Sequence, residues 1–408
     1  MKITTTLNDK VFNKIVLIVS LGFFVDVFDM LMFSVVRTPS LKELGVLPDQ
    51  LMSVGGDLIS VQMAGMILGG LVWGLLGDKR GRLFVLFGSI FVYSLANLCN
   101  AFVDTVQGYT ICRAVAGFGL AGELGAAVTL IGETMTPLKR GWGDTVVSVA
   151  GVLGGAAAAA TGGLLHWRTS YVVAAVLGFA LLITRITMLE SGMYKQMATN
   201  VRRGDFFMLL KRGRIGRYLA CIFVGVPIWF VIGMLVTFSP EIAKNAGVDG
   251  TVLAATTVLV FYLGQAVGDF TNGLVSQLGK SRKRALLIFI LADAIVGINY
   301  ILMPAGLSTM QFYVSAFVLG ITNGYWTVFV AAAAEQFGTN LRATVATTVP
   351  NFVRGSTIAY LAAFKWLKPD YGFTTSLLIV GGVGVVAALI ALYKLDETFG
   401  KNLAYVEE

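Results

Sequence analysis

The chain has 408 residues, of which 56% are hydrophobic and only 13% charged, and it contains 48 glycines and 8 prolines. Soluble domains hold about 25% charged residues, so this chain carries far more apolar sequence than a soluble core can use. The composition excludes a soluble globular protein and predicts a polytopic membrane protein whose helices pack closely through glycine. The net charge of +8 does not indicate nucleic-acid binding, because the basic residues concentrate in loops on one side of the predicted membrane.

Apolar windows of about twenty residues predict twelve spans. They lie at residues 13–36, 53–76, 83–103, 108–132, 142–164, 169–189, 216–240, 251–275, 285–304, 309–334, 343–364 and 373–394. The longest polar interruption predicts an N-terminal six-helix bundle at 1–190, a cytoplasmic linker at 191–215 and a C-terminal six-helix bundle at 216–408. No small-residue cleavage site precedes the first span, so a removable signal peptide is not expected.

The first span carries two carboxylates, Asp26 and Asp29. An aspartate near the centre of a membrane helix costs roughly 2.5 to 3.5 kcal/mol on insertion scales, so two of them require a partner or a watery cavity. Their spacing of three residues places both on one face of the helix. The alternative is a polar pair that only caps a neighbouring helix within a bundle.

The basic residues of the loops predict the orientation of the chain. With the N terminus inside, 22 lysines and arginines fall on the cytoplasmic side and six, including Arg37 and Lys365, on the other. Both termini are therefore expected in the cytoplasm, with the chain in the inner membrane.

The two halves repeat a pattern around their cytoplasmic turns. Glu133 precedes Arg140 by seven residues, and Glu335 precedes Arg342 by the same distance, an offset of 202 positions for both residues. The turn GLLGDKRGR at 74–82 has a degraded counterpart at 273–284, where Gln277 stands in place of the acid. Such internal repeats are typical of secondary transporters.

The turn between spans two and three resembles the signature loop of the major facilitator superfamily, which Gly74, Asp78, Lys79, Gly81 and Arg82 match. Further segments resemble the branch that holds the sugar porters and the metabolite, sialate and aromatic-acid proton symporters. These segments are GFGLAGE after Arg113, GETMTPLKRG, LESGMY, AEQFGTNLRAT and DETFGKNL. The chain departs from the pattern at Gln277 and at Gly192, where many relatives have proline.

The resemblance implies an all-α protein of twelve transmembrane helices in two pseudo-symmetric bundles that rock around a central cavity lined by spans one, four, seven and ten. Span four carries Arg113 and Glu123. We therefore expect Asp26, Asp29 or Glu123 to bind a coupling proton, and Arg113 either to pair with it or to hold substrate. One proton moving down the membrane potential supplies roughly 2.3 kcal/mol per 100 mV, or about fifty-fold accumulation.

The second half lacks matching charges and offers the cavity aromatic, amide and arginine side chains, namely Trp229, Asn323, Tyr325, Trp326 and Arg354. Aromatic residues at helical spacing also serve packing, and Arg354 near mid-helix requires an anionic partner, either substrate or a carboxylate of another span. Asp269 and Asp293 lie within spans eight and nine and could support a proton path or be structural.

Acidic and basic residues at the inner helix ends are expected, from the resemblance, to form a cytoplasmic gate: Asp78, Arg82, Glu133, Arg140, Glu190, Glu335, Arg342 and Glu397. Exposed pairs contribute about 0 to 1 kcal/mol each, so only a network could bias the two states. The alternative role for these charges is topology and solubility.

The predicted function is proton-coupled uptake of a small polar metabolite, most simply an organic carboxylate, by a monomer in the lipid bilayer. Alternatives are a zwitterionic or cationic solute, export of a polycarboxylate such as a siderophore, and a receptor that does not transport. Span five lacks the Gly-Pro motif of drug antiporters. No phosphate-binding loop, catalytic triad or metal cluster is evident, so neither enzymatic activity nor a cofactor is expected.

Overall fold

The structure is a computed structural model that describes residues 14–80, 82–123, 137–189, 208–209, 211 and 213–401. Its helices, numbered in chain order, are α1 (Lys14–Glu43), α2 (Leu51–Arg80), α3 (Arg82–Asn100), α4 (Val106–Leu120), α5 (Pro137–Leu164), α6 (Trp167–Leu189), α7 (Ile215–Phe230), α8 (Ser239–Ala246), α9 (Ala254–Leu278), α10 (Arg282–Ile301), α11 (Thr309–Asn323), α12 (Trp326–Glu335) and α13 (Thr339–Lys394). Within the described ranges, eight helical segments are long and apolar enough to cross a bilayer. The chain therefore folds as an all-helical, multi-pass membrane protein.

Large apolar side chains point outward from these helices. Leu68 is 60% exposed, Ile111 65%, Phe270 64% and Ile295 62%. A water-facing surface would not carry so many exposed apolar side chains on consecutive helices, whereas lipid accepts them without cost. The outer wall of the molecule is thus suited to a bilayer.

The helix contacts repeat from the first half to the second. The packing of α1 on α5 is matched by α7 on α13, that of α2 on α4 by α9 on α11, and that of α3 on α6 by α10 on α13. The halves meet where α2 packs against α13 and α5 against α9. The fold is two pseudo-symmetric bundles, as the sequence predicts. The boundaries given for the linker remain a prediction, because residues 190–207 lie outside the described part.

Glycines allow the equivalent helix pairs to approach closely. Gly65 on α2 faces the carbonyl of Ala114 on α4, and Gly264 on α9 faces the carbonyl of Phe317 on α11, so that a Cβ at either glycine would collide with backbone. Gly74, on the same helix as Gly65, has open space around it. Small residues replace the hydrophobic effect as the means of close packing in lipid.

Four predicted spans depart from the expected pattern of one straight helix for each span. Span seven continues from α7 as a π-helix at Val231–Val236. Span ten breaks between Asn323 and Trp326 into α11 and α12. Spans eleven and twelve together form α13, whose two arms are divided at Gly372, where φ is 76°. Interrupted helices at membrane depth occur where backbone lines a cavity.

The two ends of the helix bundles are named by α1. The near end is where α1 begins and α13 ends, and the far end is where α1 ends at Glu43.

Candidate transport site

A cleft lies between the two bundles, and its empty space, including the part open to solvent, is about 490 Å³. Its lining comes from α1, α5, the π-helix and the end of α7, α9, α12 and the first arm of α13: Phe23, Val27, Met30, Gly151, Val152, Trp229, Ile232, Tyr262, Gln265, Asp269, Trp326, Thr327 and Arg354. Span four, which the family resemblance placed on the cavity, contributes no lining residue within its described part, 106–123. Spans five, eight and eleven line the cavity in addition to one, seven and ten.

Arg354 and Asp26 form an ion pair across the two bundles at the wall of this cavity. The distance between Arg354 Nη2 and Asp26 Oδ2 is 3.1 Å, and the two side chains are 2% and 0% exposed. The Arg354 guanidinium carbon lies 5.9 Å from the ring centroid of Trp229 and 5.8 Å from that of Trp326. The structure thus brings three of the predicted substrate residues together and gives Arg354 a carboxylate of another span as its partner.

Several polar atoms around this pair are buried without a hydrogen-bond partner among the described residues. They are Nε and Nη1 of Arg354, the indole Nε1 of Trp229, and Oδ1 of Asp26. Leaving a buried donor unsatisfied costs about 1 to 3 kcal/mol. Three of the four atoms are donors, so this end of the cavity is built to receive an acceptor.

The second aspartate of α1 lies in a separate polar cluster behind the cavity. Asp29 is 1% exposed and accepts a hydrogen bond from the Asn97 side-chain amide at 2.5 Å. It interacts electrostatically with Arg113 without coming within ion-pair distance. The Arg113 guanidinium carbon lies 5.8 Å from the Phe33 ring centroid and 5.5 Å from that of Tyr171. These two rings hold Arg113 away from the lining of the cavity.

Glu123, the third predicted proton carrier, is engaged by an arginine of span six. The two terminal nitrogens of the Arg185 guanidinium, Nη1 and Nη2, donate to the two carboxylate oxygens of Glu123, and both side chains are buried, with Glu123 0% and Arg185 4% exposed. A bidentate pair of this kind engages both oxygens of the carboxylate. Arg185 carried no assigned role in the sequence analysis, although an arginine within an apolar span is itself a signal for a buried partner.

Besides Arg113, two further predicted substrate residues lie outside the cavity lining, Asn323 and Tyr325. The Asn323 amide donates to Asp293 on α10 at 3.1 Å, and the Thr322 hydroxyl donates to the same carboxylate at 3.2 Å. Tyr325 is fully buried in electrostatic contact with Asp293. These residues therefore form a polar cluster within the second bundle.

The sequence analysis did not place one face of α9 at the cavity. Tyr262, Gln265 and Asp269 line it together, and their spacing of three and four residues puts them on one side of the helix. That spacing was a readable signal. The rotation of α9 about its axis, which the sequence leaves open, decides whether the face points to the cavity.

The near end carries a polar network within the second half. Arg282 and Glu335 form an ion pair at 3.3 Å, and the Thr398 hydroxyl donates to Glu335 at 2.7 Å. Burial raises the pKa of Glu397, but hydrogen bonds from the Ser281 hydroxyl and from backbone N–H groups outweigh it, so the pKa lies below its usual value. Two predicted gate residues therefore share one cluster with Arg282, which the sequence analysis used only for topology.

Arg342, another predicted gate residue, donates to the Phe337 carbonyl at 3.4 Å. The remaining predicted gate residues fall outside the described part, wholly for Glu133 and Glu190, and in their side chains for Asp78, Arg82 and Arg140.

The far end is held closed by contacts between the halves. Arg37, counted above as a loop residue, lies in α1 with its side chain fully buried, and pairs with Glu241 of α8 at 2.6 Å. The Ser34 and Thr237 hydroxyls are 3.0 Å apart. Lys365 and Asp57 form a longer, exposed pair at 3.5 Å. The placement of Arg37 in a loop was wrong because α1 continues beyond the predicted end of the span to Glu43.

A cleft with buried charged groups on its wall, between two pseudo-symmetric bundles of membrane helices, is the arrangement of a secondary transporter. The family model described as the Major Facilitator Superfamily matches residues 19–355, and the chain belongs to that superfamily, whose members are transporters and not enzymes.

Curated relatives span most of the chain at low identity. The chain is 26% identical over 352 residues to the putative niacin/nicotinamide transporter of Bacillus subtilis, and the match covers 84% of this chain and 85% of the relative. It is 24% identical over 394 residues to the gentisate transporter of Corynebacterium glutamicum, covering 92% and 86%. It is 27% identical over 354 residues to the 3-(3-hydroxy-phenyl)propionate transporter of Escherichia coli, covering 83% and 84%.

The solved structure of a D-xylose-proton symporter matches with a TM-score of 0.69 at 18% identity, over 95% of this chain and 99% of that one. At this identity the match shows the shared fold alone.

Proposed function

We propose that this protein takes up a small organic carboxylate together with protons, by alternating access, across the inner membrane. The observation that carries the proposal is the group of unpartnered buried donors at the cavity wall, Arg354 Nε and Nη1 and Trp229 Nε1. A carboxylate supplies acceptor oxygens that suit a guanidinium and an indole N–H at once. The relatives named as transporters of niacin, gentisate and hydroxyphenylpropionate support an aromatic carboxylate in particular.

Proton coupling follows from competition for Arg354. While Asp26 is ionised, it occupies one nitrogen of the guanidinium and neutralises its charge. Protonation of Asp26 leaves the cation uncompensated in a poorly hydrated site, which strengthens the binding of a substrate carboxylate there. A proton and an anion are therefore taken up together, because each favours the binding of the other.

Asp29 and Arg113 form the second charged element of this proposal. Asp29 interacts electrostatically with Asp26, so a proton on either carboxylate changes the charge that the other one experiences. Arg113 compensates Asp29 from behind the cavity and, by its position, is assigned to the proton path. Glu123, paired with Arg185, is assigned a structural role.

Alternating access requires that one end opens as the other closes. The Arg37–Glu241 pair holds the far end shut in this structure. The proposal places the far end outside the cell and both termini in the cytoplasm, as the loop charges predict, with a monomer as the working unit.

The test is uptake by purified protein in proteoliposomes, with and without an imposed pH gradient, across a panel of aromatic carboxylates, aliphatic carboxylates, sugars and amines. Gradient-driven uptake of an aromatic carboxylate that Arg354→Gln abolishes is the expected result. Uptake confined to sugars or amines would overturn the carboxylate assignment, and binding without flux would overturn transport itself.

A further inference from the structure

The polar groups of the cavity are sorted by hydrogen-bonding character. One part carries the donors of Arg354 and Trp229, while Asp269 contributes an ionisable acceptor from α9. Asp269 has no cation within ion-pair distance among the described residues. Its presence on the lining is not explained by the binding of a carboxylate, which it repels.

Asp269 is held by the start of α12. Its Oδ1 accepts a hydrogen bond from the backbone N–H of Thr327 at 3.2 Å, and the Thr327 hydroxyl and the Trp326 backbone N–H also donate to the carboxylate. These donors hold the Asp269 carboxylate at the N-terminal end of α12. An ionised carboxyl is acceptor-only, with about four acceptor positions, so three donors leave about one for a ligand.

Tyr262 lines the same cavity as the two polar parts. Its hydroxyl interacts electrostatically with Arg354, with Asp26 and with Asp269, and Tyr262, Arg354 and Asp269 all belong to the lining. The lining between them is mostly apolar, from Phe23, Val27, Met30 and Ile232. A molecule that satisfies the cavity has a carboxylate at one edge, an apolar body and a single donor at another edge.

Resting on the carboxylate transport proposed above, we propose that Asp269 is a specificity-determining residue that selects aromatic carboxylates bearing a ring hydroxyl. The hydroxyl donates to the free acceptor position of Asp269 while the carboxylate binds Arg354. A ring without a donor leaves the free acceptor position of Asp269 without a hydrogen bond. A ring with an acceptor at that place is repelled by the Asp269 carboxylate.

A neutral hydroxyl suits this position better than an ammonium group. An ammonium carries three donors, and the one remaining acceptor position of Asp269 satisfies only one of them, so the others depend on the Gln265 amide or stay unsatisfied in a low-dielectric site. The hydroxyl has one donor to place.

The experiment compares three rings of nearly the same size, which are 3-hydroxybenzoate with a donor, benzoate with neither group and nicotinate with a ring acceptor. The binding affinity of each of these three ring carboxylates is measured on wild-type protein and on Asp269→Asn. The expected wild-type order is 3-hydroxybenzoate first and nicotinate last. Replacing the charged acceptor by an amide, which can also donate, should lower the preference for 3-hydroxybenzoate over benzoate by about tenfold to a hundredfold and raise relative nicotinate binding.

The matched control is Asp293→Asn, which removes a buried carboxylate of the same bundle that does not line the cavity. Its ratios should equal those of the wild type. Asp269→Ser is a second variant if the amide variant does not reach the membrane. An unchanged ratio in the Asp269 variant, or a wild-type preference for 3-(aminomethyl)benzoate over 3-hydroxybenzoate, overturns the assignment. If the wild type binds none of these carboxylates, the proposed transport function fails instead.

Discussion

Replacing Asp26 by asparagine removes the proposed proton carrier and keeps the shape of the side chain. In the proposed mechanism, Asp26 and the substrate compete for one buried guanidinium, so anion binding is expected to strengthen as the pH falls. In Asp26→Asn the competitor is permanently neutral, and binding should lose this pH dependence. Exchange of labelled for unlabelled substrate, which needs no net proton movement, should continue.

The driving force sets the size of the effect. One proton moving with one monocarboxylate carries no net charge, so accumulation follows the pH gradient alone, at about 1.4 kcal/mol or tenfold per pH unit. If Asp29 carries a second proton, net positive charge moves and a potential of 100 mV adds roughly 2.3 kcal/mol, or about fifty-fold. Asp26→Asn should reach no more than equal concentrations on the two sides under either gradient.

The assay is uptake into proteoliposomes under an imposed pH gradient, an imposed potential, or both. Because breaking a buried ion pair costs about 3 to 5 kcal/mol, a thermal melt of the variant in detergent must accompany the transport measurement. Asp29→Asn is measured in parallel and should lose uphill uptake as well. Concentrative uptake that persists in both variants would refute the assignment of the proton site to α1.

Three further outcomes follow from other parts of the structure. Glu241→Gln weakens the charge-assisted contact at the far end, worth about 1.5 to 3 kcal/mol, and should increase labelling of a cysteine introduced into the cavity lining from that side about ten- to hundredfold, whereas Lys365→Gln, which breaks an exposed pair, should not. Gly65→Ala should lower the melting temperature because its Cβ meets backbone, whereas Gly74→Ala on the same helix should not; equal melting temperatures would contradict the close-packing argument. The depressed pKa of Glu397 means that its stabilising contribution is present above the usual pKa of about 4.3 and is lost as the pH falls through the folded value. Acidification should therefore lower the protection factors for amide exchange at residues 281–284, after correction for the intrinsic rate at each pH, and Glu397→Gln should remove that dependence.

The sequence was most informative where a charged residue lies within an apolar span. Asp26 and Asp29 stand out because lipid excludes carboxylates, and Arg354 stands out for the same reason, so each could be assigned to the interior before any coordinates were known. The same reasoning could have reached Arg185, whose buried partner is Glu123. What these residues share is a large energetic penalty that depends only on local sequence.

The partners of these residues could not be predicted, because they lie far apart in the chain. Asp26 and Arg354 are separated by 328 positions in the chain. The offset of 202 positions that relates the two halves does not match either residue to the other. Arg113, predicted at the cavity, is held behind it by two aromatic rings. The rotation of a helix about its axis is decided by its neighbours and not by its own sequence.

By itself, the amino-acid sequence determined that this chain spans a membrane many times, that its two halves are repeats, and that charged groups lie inside it, since hydrophobic length, internal similarity and the cost of burying charge are local properties. Only the tertiary structure decided which charges pair across the two bundles, that one face of α9 brings Asp269 to the cavity, and that Arg37 holds the far end closed. Those features depend on the angles and rotations at which helices pack, and these are set by contacts between distant segments.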